Sequence, residues 1–255
     1  MTAYVTTQLR QGVLEIRLNR PEKKNALNPE MYAALARALR DAGSDGAVRV
    51  VWITGSGDSF TSGNDVTSFV DGSRGPGRLP AHDFLHALAM VATPLVASVN
   101  GMAVGVGATM LLHCDMVLAA RSAFFRFPFV DLGVFPEAAS TILLPRLAGH
   151  LKAMELFLLA DRFDAQTARE AGMVNTICED DALEGESLAI ARRLALKPAS
   201  ALRATKAHVR AGYGDLAAVI DDEIGPFGEM VRSPEAQEAF SAFLEKRKPD
   251  FSRFE

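Results

Sequence analysis

The sequence predicts an α/β fold that ends in an all-helical part, and three observations carry that expectation. Strand-like and helix-like segments alternate through the first half, the order expected of crossover units. From Ala182 onward only helical periodicity remains, punctuated by Pro198, Gly212-Tyr213-Gly214 and Ser233-Pro234. With 255 residues, 49% of them hydrophobic, the chain can build a sizeable core as one large domain or as a domain with a small appendage.

In chain order, a strand reads across Arg10 to Leu18, and Val13 to Leu18 alternates apolar and polar side chains as a half-buried strand does. A polar loop around Pro21 leads to Asn28-Pro29-Glu30, a helix start with Asn at the cap and Pro at the first position. Met31, Leu35, Ala38 and Leu39 then recur at helical spacing. Val48 to Thr54 is β-branched and aromatic, a second strand, and Gly55 to Asp58 is a turn cluster. Phe60 to Val66 reads F-T-S-G-N-D-V, which turn chemistry alone assigns to a surface turn. Asp71 to Pro80 holds three glycines and two prolines and is expected to be a mobile loop; Leu85, Leu88 and Val91 follow as a helical stripe. Further on, Leu151 to Ala160 and Ala165 to Ala171 read as short helices, the second stopped by Gly172, and Val174 to Cys178 as a strand. Four helices complete the chain, near Leu183 to Leu196, Ala199 to Arg210, Leu216 to Val231 and Pro234 to Lys246.

Val96 to Thr141 is the stretch with chemistry in it. Leu95 to Val99 is an apolar run that fits a buried strand, broken by Asn100 and Gly101. Gly105 and Gly107 precede Ala108 to His113, an apolar run that fits a buried helix. Such a start aims free backbone N–H groups at whatever lies in front, which suits an oxygen that becomes negative during a reaction. Pro136 and Glu137 look like the start of another helix, with a carboxylate in its first turn. That placement is ordinary helix stabilisation, worth about 0.3–1 kcal/mol. The dipole there lowers the pKa, so a base near neutrality requires an apolar pocket, for which Phe127, Phe129, Leu132 and Phe135 are candidates.

Several functions are excluded or left without support. A net charge of −4 gives no basic footprint for nucleic acid, and no stretch is long and apolar enough to span a membrane. Cys114 and Cys178 sit in apolar contexts, which fits reduced core thiols and a cytoplasmic location. The first residues show no signal pattern, and Arg253-Phe254-Glu255 is not a peroxisomal address. Gly105-Val106-Gly107 lacks the third glycine of a dinucleotide fingerprint, and neither a P-loop nor a G-x-S-x-G elbow is present. His82 and His86 could face one metal, but a third ligand at useful spacing is missing and their loop context reads as solvated. His113, in an apolar run, reads as a satisfied core histidine.

Nearly the whole chain resembles the enoyl-CoA hydratase/isomerase (crotonase) superfamily. The resemblance rests on R-P-E-K-K-N-A-L-N from Arg20, F-T-S-G-N-D-V from Phe60, V-N-G-M-A-V-G-V-G-A from Val99 and C-D-M-V-L-A-A from Cys114. It continues through L-L-P-R-L-A-G from Leu143 and A-R-E-A-G-M-V-N from Ala168. It implies a crotonase-like spiral of β-β-α units over residues 1–195 and a helical C-terminal trimerisation region over 196–255, in a homotrimer or hexamer. It implies an oxyanion hole made by the backbone N–H groups of Asn64 and Val106, where side-chain identity is free. An acyl-CoA substrate is expected along Lys24, Ala26, Leu27, Thr61, Ser62, Gly63, Asp65 and Val66, with no metal and no cofactor beyond the CoA of the substrate. Two positions depart from the family's hydratases: Thr109 and Phe129 stand where those enzymes carry the glutamates that activate water. The pair Pro136-Glu137 instead resembles the Δ3,Δ2-enoyl-CoA isomerases, which implies Glu137 as a single catalytic carboxylate, with Asp65 and Asp131 as rivals. The resemblance leaves hydratase, hydrolase, decarboxylase and aryl-CoA dehalogenase chemistries as alternatives, and a non-catalytic CoA-binding paralogue as a further one.

Overall fold

The structure, a computed structural model, describes residues 4–67 and 80–254. The loop expected at Asp71 to Pro80 lies outside the described residues except for Pro80, the first residue of a helix.

Where one strand is expected from Arg10, two are found. β1 (Val5–Arg10) and β2 (Val13–Leu18) form an antiparallel hairpin. Gln11 and Gly12 take φ of 51° and 78°, the positive values that a two-residue turn needs to follow the strand twist. From β2 the chain winds as a spiral, each turn laying a strand in one sheet, a short strand in a second sheet, and then a helix. β2 is followed by Leu27, bridged to Asn64, and by α1 (Pro29–Ser44). β3 (Val50–Gly55) leads to β4 (Ser59–Thr61) and later α2 (Pro80–Met90). β5 (Leu95–Val99) leads to β6 (Met102–Val104) and α3 (Val106–Thr109). β7 (Met116–Ala120) leads to β8 (Phe124–Arg126) and, past Glu137, to α4 (Ser140–Ala148). The first sheet runs β1-β2-β3-β5-β7-β10 and is parallel from β2 onward; the second runs β4-β6-β8-β9. Here β9 is Phe163–Asp164 and β10 is Thr176–Cys178. This is the β-β-α spiral expected from the sequence.

Local chemistry explains the elements. β3 and β5 are buried at every position, as strands of a parallel sheet covered on both faces are. Asn28 caps α1 by accepting the Met31 N–H at 2.8 Å, and Met31, Tyr32, Leu35 and Leu39 turn inward. Beyond β8 lie α5 (His150–Leu158), α6 (Ala165–Glu170) and α7 (Leu183–Ala195). The chain ends in α8 (Ala199–Ala211), α9 (Leu216–Val231) and α10 (Pro234–Leu244). α8 is tied to the spiral by Lys206, whose ammonium donates to Thr93 O and Asp115 Oδ2, and by Arg210, which donates to the Ala89 and His113 carbonyls.

Two expectations are corrected. His82 is buried on α2 and faced by Asp221 on α9, so it is neither in a loop nor solvated. The helix expected to start at Pro136 starts at Ser140, which leaves Glu137 in the preceding loop and outside the first helical turn.

Candidate active site

Each turn of the spiral passes from its second strand into a helix, and stacking the turns sets those junctions side by side. Leu27, Thr61 to Val66 and Val104 to Val106 thereby become neighbours. The Leu27 N–H donates to Gly63 O at 2.8 Å and the Asp65 N–H to Leu27 O at 3.0 Å. In a parallel bridge of that kind the residue between the two partners turns its own peptide groups away, so the Asn64 N–H faces off the Leu27 side. Val106 is the first residue of α3, where an N–H has no intrahelical acceptor. Among the described residues neither N–H has a backbone acceptor. Both residues line one cavity of about 500 Å³, with Phe129, Leu132, Phe227 and Phe240 among its walls. Two glycines bring the segments together. A Cβ on Gly63 (φ 89°) would lie 2.6 Å from Val104 O, and one on Gly107 would overlap the Thr61 methyl.

The side chains at the two N–H positions are each held in place. The Tyr32 hydroxyl donates to Asn64 Oδ1 at 2.6 Å, and Val106 is buried in the core. Residues of the two motifs read at Arg20 to Asn28 and Phe60 to Val66 hold the neighbouring loop. Asn25, fully buried, donates from Nδ2 to the Ser56 and Ser59 carbonyls and accepts the Arg20 N–H. The Thr61 hydroxyl donates to Asn25 O at 2.7 Å and accepts the Gly63 N–H, while the Ser62 N–H donates to Lys24 O. Arg20 ties the Ala26 carbonyl to the Asp65 carboxylate. Ala26 and Leu27 are buried, Val66 is half-buried, and Lys24 is exposed and paired with Asp58 at 2.7 Å.

Glu137 is 6% exposed. Its Oε1 accepts the Thr109 hydroxyl at 2.6 Å. Burial pushes the carboxyl up to about 8; the Thr109 bond works against this and the charge of Glu223 on α9 adds to it. The loop that carries Glu137 is unusual: Ala138 and Ala139 take φ of 63° and 51°, a left-handed region that costs a non-glycine residue about 1–3 kcal/mol. Two groups hold it there. The His113 Nε2–H donates to Ala138 O at 2.8 Å, and Glu223 Oε2 accepts the Ala139 N–H at 3.0 Å. Glu223 is itself pushed up to about 7 by burial. His113 is indeed buried, with Nδ1 left unbonded, and burial lowers its pKa to about 4, so the ring is neutral.

The rival carboxylates differ in kind. Burial pushes Asp65 up, but the Arg20 guanidinium and the Thr67 hydroxyl outweigh it and hold the carboxyl low. Asp131 lines the same cavity as Asn64, but half its side-chain surface meets solvent and it is paired with Arg126 at 2.6 Å. Of the four apolar residues expected around Glu137, Phe129 and Leu132 line the cavity at Asn64 and Val106, whose lining does not include Glu137. Phe127 packs edge-on to Phe157, and Phe135 edge-on to Phe227. Glu223 and Tyr32 were invisible in the sequence as neighbours of the candidate site. Asn25 lies inside a motif singled out in the sequence, whereas Glu223 stands on a helix far along the chain with no local signal.

Residues 8–253 match the family model described as enoyl-CoA hydratase/isomerase. The chain is 35% identical to 1,2-epoxyphenylacetyl-CoA isomerase of Escherichia coli, over 99% of each protein. It is 36% identical to a probable enoyl-CoA hydratase of Rhodobacter capsulatus, over 96% of each. Enoyl-CoA delta isomerase 2 of Rattus norvegicus is 34% identical over 93% of this chain, which spans 62% of that longer protein. An enoyl-CoA hydratase/isomerase crystal structure from Pseudoalteromonas atlantica superposes with a TM-score of 0.92 at 42% identity, covering 97% of this chain and 99% of the other.

Proposed function

The chain belongs to the enoyl-CoA hydratase/isomerase family, and from that premise we propose that this acyl-CoA-processing enzyme moves a double bond from C3=C4 to C2=C3 of an enoyl-CoA. The observation that carries the reading is Glu137: a buried carboxyl with a raised pKa, at a site whose two hydratase positions hold Thr109 and Phe129. The thioester oxygen sits between the Asn64 and Val106 N–H groups. Ionised Glu137 takes a proton from C2; the C2–H electron pair moves into the thioester, and the conjugated dienolate spreads the charge to C4. The two N–H groups stabilise the oxyanion, a single such donor being worth about 2.7–4 kcal/mol. Protonated Glu137 then gives the proton to C4, and the electrons return to form C2=C3. Base and acid are one group, so no metal or redox cofactor takes part.

A second reading is favoured by the phenylalanines around the cavity at Asn64 and Val106, namely Phe124, Phe129, Phe227, Phe240, Phe243 and Phe251. An arylacetyl-CoA would fit such a wall, and the Escherichia coli relative is named for an epoxide of phenylacetyl-CoA, whose isomerisation is a different reaction from the C2-to-C4 proton shuttle. Assaying purified protein with 2-enoyl, 3-enoyl and aryl-CoA thioesters separates the readings. Conversion of the 3-enoyl ester with little hydration of the 2-enoyl ester is expected, and rapid hydration would overturn it. On the accepted substrate Glu137→Gln lowers kcat by about 10²–10⁴-fold with binding little changed, while Asp131→Asn costs much less. The reverse ranking would assign the chemistry to Asp131.

A further inference from the structure

We propose that Glu223 is a positioning residue for Glu137: its carboxylate takes the Ala139 N–H, holds the left-handed bend that points Glu137 at Thr109, and sets a second negative charge behind it. The inference rests on the reading of Glu137 as the proton carrier. Sequence assigned Glu223 only to a helix of the C-terminal region, yet α9 delivers it to the loop that carries Glu137. Ala138 and Ala139 both occupy backbone space that alanine rarely adopts, so the bend needs outside bonds to persist. Within its own turn the bend has the Ser140 N–H on Glu137 O and the Ile142 and Leu143 N–H groups on Ala139 O; from elsewhere come His113 on Ala138 O, Glu223 on Ala139 N, and Thr109 on the carboxyl itself. An ionised carboxyl accepts a buried peptide N–H more strongly than a neutral one, and Glu223 takes on that charge as pH rises through about 7. Its position also has an electrostatic effect, because a like charge disfavours ionisation of its neighbour.

The groups facing the pair leave that effect uncancelled. From α3 Glu137 receives only the Thr109 hydroxyl, and from α4 Glu223 receives the Thr141 hydroxyl. The imidazole of His113 is held neutral by burial. Behind it, Lys206 is turned to Asp115, and Arg210 to backbone carbonyls. No cation among these groups is paired with either glutamate.

The test compares Glu223→Gln, Glu223→Ala and Glu137→Gln in the full chain, reading kcat, KM and the pH profile on the thioester that is turned over. Glutamine keeps an acceptor for Ala139 and removes the charge, so the acid limb of the profile moves to lower pH. Alanine removes the acceptor as well, and kcat falls about 10²-fold, the scale of a misplaced catalytic group. A limb unmoved by Glu223→Gln overturns the proposal, and that variant decides the matter if the alanine form does not fold. A second measurement needs no turnover. The infrared carboxyl band of Glu137, isolated as the difference between the parent and its Glu137→Gln form, is titrated with and without Glu223→Gln. If Glu137→Gln leaves turnover intact, the reading of Glu137 as base fails, and the band titration still decides whether Glu223 acts on its proton.

Discussion

At the scale of single residues, the proposed role of Glu137 as a base sets catalysis against stability. An isolated carboxyl titrates near 4.5, and this one at about 8 in the folded protein. Between those values the unfolded chain has given up a proton that the folded chain keeps, so unfolding releases a proton and stability falls as pH rises. The contribution is fully present below about 4.5 and lost as pH passes through about 8. Glu137→Gln carries no such proton, so its denaturation midpoint should equal or exceed that of the parent, with a gap that widens from pH 5 to pH 8. A gap that narrows over that interval would mean the carboxyl is ionised within the fold. How much of this was legible depended on where the cause lies. The Pro136-Glu137 pair can be read in sequence, but the direction of its shift cannot, because it depends on Glu137 falling before the helix. Ser140, not Pro136, opens α4, so the helix dipole that would have lowered the pKa is not applied in the first turn. Glu223 was not legible at all: nothing in I-D-D-E-I-G-P-F says which strand-to-helix loop the helix will meet.

At the scale of elements, the site is a product of stacking. The long strands and the capped helices were readable from periodicity and from Asn28-Pro29. β4, β6 and β8 were not, since three residues are too few for an alternating pattern to show. Those same short strands set the separation of the Asn64 and Val106 N–H groups, and Gly63 is the spacer. Gly63→Ala brings a Cβ against Val104 O and asks alanine for a φ of 89°. It should lower stability by about 1–3 kcal/mol and kcat by about 10²-fold, although no side chain used in the chemistry has changed. Gly43→Ala in α1 is the matched control, with open space around it and helical backbone. It should leave kcat alone and raise the thermal midpoint slightly. Wild-type turnover by Gly63→Ala would show that the N–H spacing tolerates the strain.

At the scale of the whole molecule, the C-terminal helices face both ways. Leu216, Phe227 and Phe240 are buried within their own chain, while Phe243 and Leu244 remain exposed. A broader apolar surface lies elsewhere, where α5 presents Leu151, Met154 and Leu158 at helical spacing, with Leu147 and Leu159 beside them. The chain should therefore sediment as an oligomer at micromolar concentration, and Leu151→Glu combined with Leu158→Glu should lower its mass. An oligomer indifferent to those charges would place the contact on another face, with Phe243 and Leu244 next to be tested. The resemblance implies the C-terminal region for this role, and helical spacing alone cannot distinguish an inward face from an outward one. The three tethers on the Glu137 loop have one more consequence. They come from α3, from the turn that ends in His113 and from α9, so the loop is only as durable as the least durable of them. The terminal helices of a spiral fray more easily than its central sheet. On the proposed reading, activity should behave as a fuse: mild heat or denaturant that loosens α9 should silence turnover while β2, β3, β5 and β7 remain paired.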